Sequence, residues 1–267
     1  MFSVANYFFA LMEITTIIGL FLGIAAVLGG QVLEGGHISS IMQGTAAIIV
    51  LGGTLGATIL SFTMSDLKKG FNSIFTIFKA SGENPSDIIK IIINFAGIAR
   101  KDGILALQNR VADIKNLFMQ RAVTYAVDGY EPAVIKDILE KDIETMEEES
   151  ATASKVFESA GGFAPTVGIL GAVLGLIHVM EVMSDPSQIG GGIAVAFVAT
   201  VYGVGVANLI FLPISSKIKR QAKVEVMMRE LIIKGVISIQ EGLNPRIVEE
   251  KLNAFLEEGM RTTEGKK

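Results

Sequence analysis

The sequence predicts an all-α membrane protein, with four transmembrane helices and a helical domain outside the bilayer. Three observations lead there. Half of the 267 residues are hydrophobic and the mean hydropathy is +0.52, more apolar than soluble domains of this size usually are. All 23 Lys and Arg residues fall in two blocks, Lys68 to Lys155 and Lys217 to Lys267, so that 1–67 and 156–216 hold none. Four apolar runs free of Asp, Glu, Lys and Arg lie inside those two stretches, at 14–30, 41–64, 163–180 and 189–214. A charge at the bilayer centre costs at least ~2.5–3.5 kcal/mol, and a crossing helix needs roughly 20 apolar residues.

The first run has no basic segment before it and no Ala-x-Ala site after it, so it reads as a retained span and not a cleaved signal. Lys68 and Lys69 directly follow the second span, and Lys217, Lys219 and Arg220 follow the fourth. Basic residues concentrate on the cytoplasmic side. Both termini and the long insert are therefore expected in the cytoplasm. The chain divides into a hairpin of two spans (1–64), a cytoplasmic domain (65–162), a second hairpin (163–214) and a cytoplasmic tail (215–267).

The insert reads as helical. Asn84-Pro85 is a start signal for the apolar segment 88–98. From Ile104 to Phe118 the apolar residues recur at helical spacing. Asp128-Gly129 reads as a stop, and Pro132 suits the first turn of a charged helix that runs toward the third span. Glu147-Glu148-Glu149 on that helix reads as a solvated face. The tail holds two amphipathic stretches separated at 242–245.

The spans carry few polar groups, and threonine hydroxyls can bond harmlessly to their own helix. Thr200 and Tyr202, in Ala199-Thr200-Val201-Tyr202-Gly203, are the candidates for an ion path. Glycines crowd the third and fourth spans, where small residues let backbones approach closely. Packing within the chain and packing against neighbouring chains both stand as readings. No carboxylate lies near the middle of any span, so a proton path needs its acid from a partner chain. His178 reads as an interfacial residue near the outer face. Pro165 and Pro213 stand at the same level of the second hairpin. Proline bends or ends a helix, so this pair is either a hinge or two helix ends.

Several functions are excluded. There is no Cys, hence no disulfide or thiolate metal site. No P-loop, Gly-x-Ser-x-Gly or His/carboxylate cluster is present, so no enzyme, cofactor or metal is expected. A net charge of −4 without a basic stripe speaks against nucleic acid.

Five segments resemble the MotA family of flagellar motor stators, within the wider MotA/TolQ/ExbB proton channel group. They are MEITTIIG (12–19), LGGTLGAT (51–58), ARKDGILAL (99–107), APTVGILG (164–171) and ATVYG (199–203). The resemblance implies a plasma-membrane stator subunit. Five copies would surround two MotB-type helices that bring an ion-carrying aspartate, and the complex would push on the rotor protein FliG. It implies that Arg100 contacts the rotor. The second charged position of that contact, a glutamate in the family, is Gln108 here. It links Pro165 and Pro213 to coupling, and places Thr166, Ala172, Thr200 and Tyr202 along the ion path. Sodium-using relatives carry a threonine where this chain has Ala172, so protons are the expected ion. Residues 1–11 precede the usual family opening, so Met12 is an alternative start. An ExbB/TolQ-type energiser is the second reading, and a stand-alone channel or scaffold a third. The first hairpin and the Arg100 motif favour the stator.

Overall fold

The computed structural model describes the backbone of residues 4–77 and 84–256, and side chains from Thr15 onward. Tyr7, Phe8 and Phe9, a possible interfacial lead, have side chains outside the described residues. The described residues form helices and no strand. In chain order they are α1 (Val4–Leu33), a 3-10 turn (Ile38–Ile41), α2 (Gly44–Ala47), a π-turn (Ile48–Gly52), α3 (Gly53–Ser61), α4 (Met64–Ile77), α5 (Pro85–Asp102) and a 3-10 segment (Ile104–Asp113). There follow α6 (Leu117–Val127), α7 (Pro132–Glu181), α8 (Pro186–Val206), a second π-turn (Ala207–Phe211), α9 (Leu212–Gln240) and α10 (Pro245–Asn253). Four helical stretches are long and apolar enough to cross a membrane: Thr15–Leu33, Gly44–Ser61, part of Pro132–Glu181 and part of Pro186–Gln240.

The turn chemistry explains most boundaries. Asn84 accepts the Ser86 N–H ahead of Pro85 and starts α5. Gly129, at φ 83°, follows the end of α6. Asp185 caps α8, accepting the Ser187 N–H at 3.1 Å, the Ser187 hydroxyl at 2.7 Å and the Gln188 side-chain amide at 2.7 Å. The Ser187 hydroxyl first, then Gln188, holds its carboxyl below the usual carboxylate range.

Three boundaries differ from the sequence expectation. The second span is shorter than 41–64, because Phe62 turns extended and ends the helix after Ser61. Thr63 and Asp66 then bond reciprocally, each side chain serving the other's backbone N–H, and start α4. The region 104–118 is not one α-helix. Gly103 leaves α5 at φ 82°, and Ile104–Asp113 winds as a 3-10 segment. Asn116 starts α6 anew by accepting the Met119 N–H at 2.7 Å. Finally, Pro165 and Pro213 end no helix. Pro165 lies inside α7, and Pro213 is the second residue of α9.

Contacts divide the chain into two units. One comprises Met1–Ala10, Ser81–Glu148 and Gln221–Lys267; the other comprises Leu11–Ala80 and Glu149–Arg220. The first has an ordinary apolar core. Ile89, Ile92, Met119, Ile135, Leu139, Leu231 and Leu252 are all fully buried in it. Each such side chain contributes about 1.5–3 kcal/mol. Gly235 lets α9 press on Ile92, since a Cβ there would lie 2.6 Å from the Ile92 Cδ1. The Arg229 guanidinium sits 5.0 Å above the Phe118 ring.

The second unit holds the spans, and backbone contact dominates it. A Cβ on Gly203 would lie 2.5 Å from the Ala164 carbonyl oxygen, and one on Gly168 would lie 2.9 Å from that of Ala199. Gly175 and Gly192 are packed just as closely against each other's backbone. These glycines thus serve packing within the chain. Gly190, Gly191 and Gly205 are different, for a Cβ on any of them meets nothing within 4 Å.

This contrast sets a test. Gly203→Ala is expected to cost ~1–3 kcal/mol or more, because the intruded group is backbone and cannot turn aside. Gly205→Ala, two residues away, should be tolerated. Membrane-inserted protein level and thermal unfolding in detergent read both.

Candidate functional site

The expected ion-path residues belong to the hairpin of α7 and α8. Thr166 donates to the Phe163 carbonyl at 2.8 Å and Thr200 to the Ala196 carbonyl at 3.3 Å. Both hydroxyls therefore bond to their own helix, as threonines in apolar helices commonly do. Both side chains are nonetheless exposed, on the outside of the packed hairpin, and Ala172 is half-buried. Around them stand Ile169, Val173, Phe197 and Val204, all exposed. This is a free apolar face with isolated hydroxyls. It contains no acid or base of its own.

Tyr202 is placed otherwise. Its hydroxyl donates to the Ile41 carbonyl at 2.6 Å and accepts the Gln43 N–H at 3.2 Å. The first N–H groups of a helix have no partner within it. Tyr202 supplies one from α8 at the entry to α2, and packs on the cluster of Ala46, Val50, Val198 and Ala199.

The prolines come together as a level. Gly161, one turn before Pro165, faces Leu212, the neighbour of Pro213; a Cβ on Gly161 would lie 2.7 Å from the Leu212 Cδ2. The π-turn Ala207–Phe211 ends two residues before Pro213. Proline has no N–H and its ring crowds the carbonyl four residues earlier. A widened turn at that point relieves the crowding and lets the helix continue. Beyond the prolines, Ser154 and Ser215 are buried and joined hydroxyl to hydroxyl at 2.9 Å. Lys219 pairs with Glu158 at 2.9 Å and Lys69 with Glu149 at 3.4 Å.

The two rotor candidates lie in the other unit. Arg100 is exposed in the last turn of α5, where a cation suits the carbonyl end of the helix. Gln108 is exposed in the 3-10 segment. Leu107, only 1 % exposed, pins that segment to the core. Among the described residues no ion pair engages Arg100, Lys101 or Arg110. Glu147, Glu148 and Glu149 are exposed, as expected of a solvated face. His178 is exposed beside Glu181, 3.7 Å away, near the end of α7. No group of three or more His, Cys, Asp or Glu suited to a metal occurs among the described residues.

Sequence reasoning missed the two π-turns of this region. Thr54, one of the few polar groups of the second span, is a buried hydroxyl two residues after the first π-turn, with no hydrogen-bond partner among the described residues. Thr58, one turn on, donates to the Thr54 carbonyl at 2.8 Å.

Known families match the chain in two successive regions. Residues 17–103 match the motility protein A N-terminal region, and residues 110–231 match the MotA/TolQ/ExbB proton channel family. Motility protein A of Bacillus subtilis is 34 % identical over 92 % of this chain and 91 % of its own length. The chain belongs to the motility protein A family. Chemotaxis protein PomA of Vibrio alginolyticus is 36 % identical over 95 % of this chain and 99 % of its own. In structure, the MotAB complex of C. jejuni matches with a TM-score of 0.88 at 33 % identity, covering 92 % of this chain and 97 % of that one. The flagellar MotAB stator complex of Bacillus subtilis gives the same TM-score and identity, covering 94 % and 100 %. Membership in the motility branch fits the first hairpin, which the ExbB/TolQ-type reading does not need.

The Tyr202 geometry is directly testable. Tyr202→Phe removes one donor and one acceptor and leaves Gln43 N–H and Ile41 C=O unpaired, at a cost of ~1–3 kcal/mol. Thermal unfolding of the purified protein should show a lower midpoint; an unchanged midpoint would mean that the bridge carries no weight.

Proposed function

We propose that this chain is a stator subunit of a bacterial flagellar motor. With a MotB-type partner it conducts protons across the plasma membrane and turns their downhill flow into torque on FliG. The observation that carries this reading is the match, along nearly the full length of both chains, to two MotAB stator structures. The hairpin's own chemistry supports it. Hydroxyls and apolar side chains line the free face, and the spans hold no carboxylate near their centre. A proton carrier must then come from outside the chain, which suits a partner helix bearing a carboxylate.

In this reading several copies, five by resemblance, present the face with Thr166, Ala172 and Thr200 to the partner. Both termini and 65–162 lie in the cytoplasm, as the basic residues after the second and fourth spans indicate. Pro165 and Pro213 form the level at which the hairpin flexes. Arg100 meets the rotor, with Gln108 as an uncharged neighbour. Each proton moved supplies ~2.3 kcal/mol per 100 mV. Sodium would need several oxygen ligands in place of its water, and Ala172 offers none.

Two measurements test the proposal. In cells whose only stator is this chain with its partner, swimming speed should be insensitive to external Na⁺ and should collapse with a protonophore. Sodium dependence at constant membrane potential would overturn the proton assignment. Arg100→Glu should leave assembly with the partner intact yet strongly impair swimming. An exposed charge contributes only ~0–1 kcal/mol to folding, whereas charge-guided association is sensitive to reversal. Loss of assembly would instead make Arg100 a structural residue.

A further inference from the structure

The helix α4 follows the second span without belonging to it. Ser61 closes the span, Phe62 is extended, and α4 starts at Met64. Three residues of chain reach roughly 10 Å at most, so α4 begins at the edge of the bilayer that the span has just crossed. One side of it is packed. A Cβ on Gly70 would lie 3.3 Å from the Val156 Cβ, and Ile77 shares a buried cluster with Ala153 and Phe157 of α7 and Ile218 of α9. Seven residues advance a helix by ~10 Å, yet Gly70 and Ile77 both pack on the short stretch 153–157 of α7. The helix α4 therefore crosses α7 and does not run along it away from the membrane.

The other side is apolar and bare. Phe71 is 62 % exposed and Phe75 58 %, with their rings edge to face at 5.5 Å, and Met64 is exposed beside them. At ~100° per residue, Met64, Lys68, Phe71 and Phe75 fall within about 60° of arc. Lys68 is exposed, and among the described residues no ion pair engages it. Two occupants could cover this side, a second copy of the chain or the lipid surface. The centre of a protein interface is depleted in lysine, and Lys68 stands between Met64 and Phe71. A lipid surface accepts the same mixture readily. Aromatic rings enter the boundary between headgroups and acyl chains, and a lysine lays its stem along the apolar surface and lifts its ammonium to the headgroups.

We infer that α4 is an interfacial helix, with Phe71 and Phe75 seated in the headgroup–acyl boundary of a phospholipid leaflet and Lys68 among its headgroups. Its packed side grips α7 before Pro165 and α9 after Pro213, and Lys69 adds its pair with Glu149. The membrane surface thereby holds the part of both helices that adjoins the two prolines. The inference does not depend on the stator reading.

The chain contains no Trp, so one introduced Trp reports its own surroundings. Phe71→Trp and Phe75→Trp are made singly in the full-length chain. Each is reconstituted, with whatever partner co-purifies, in discs of mixed phosphatidylglycerol and phosphatidylcholine, and the emission of the unsubstituted preparation is subtracted. Leu117→Trp, at an exposed position of the other unit, is the water-facing control. Both phenylalanine variants should emit at shorter wavelength than the control. They should lose most of their fluorescence to lipids brominated at the headgroup end of the acyl chains, about 5–10 Å into the boundary, and little to acrylamide in the water. The control should show the reverse. Acrylamide quenching of Phe71→Trp and Phe75→Trp as strong as that of Leu117→Trp would overturn the inference. A signal shielded from both quenchers would overturn it too, because a second copy then covers the face. If one phenylalanine variant fails to accumulate, the other decides alone.

Discussion

Backbone contact between the third and fourth spans is the constraint on which the membrane unit depends. In lipid there is no hydrophobic drive between apolar helices, so close packing must hold them together. Gly168 meets Ala199 and Gly203; Gly175 meets Gly192; Gly203 meets Ala164. With side chains absent along this seam, the larger residues of both helices are turned outward. Ile169, Val173, Phe197 and Val204 stand exposed for that reason. The hairpin is finished on its inside and unfinished on its outside, and Thr166 and Thr200 lie on the unfinished side.

Around that seam the other contacts are polar and sparse. Tyr202 ties the entry of the second span to the fourth, and the Ser154–Ser215 pair ties α7 to α9 below the prolines. The apolar middle between these ties has no polar bridge of comparable length in sequence among the described residues. Motion at the prolines therefore need not break a hydrogen bond between helices there. The helical unit with Arg100 is built differently, on a water-soluble pattern with fully buried isoleucines and leucines, and among the described residues no ion pair engages Arg100, Lys101 or Arg110.

Much of this was legible in the sequence, because insertion in lipid leaves few choices. Charge segregation alone marks the four spans. Asn84-Pro85, Gly129 and Pro132 fall where α5 begins, α6 ends and α7 begins. Motif segments carried the family. The failures have local causes. A run of apolar residues at helical spacing did not reveal that Gly103 and Asn116 would impose separate breaks between 103 and 117. The prolines left a hinge and two helix ends equally open, since the sequence does not show that a widened turn ahead of Pro213 lets the helix continue. The bridge from Tyr202 to Ile41 and Gln43 was not legible either, because these partners are backbone groups some 160 positions away and leave no side-chain signature.

The two π-turns also act as phase correctors. An α-helix turns ~100° per residue, so positions twelve apart lie about 120° from each other. One additional residue absorbed by a wide turn reduces this to about 20°. Ala46, Val50, Thr54 and Thr58 repeat every four residues and are all buried, which an unbroken α-helix would spread into a spiral. The π-turn Ile48–Gly52 brings them back toward one stripe. In the same way, Gly203 and Ser215 both look toward α7, on Ala164 and Ser154, with Ala207–Phe211 between them. Removing that additional residue would let either turn close to ordinary α-helix, and eleven steps of ~100° also leave about 20°, so everything downstream would keep its direction. Each wide turn thus carries an extra residue without disturbing the register of the helix beyond it.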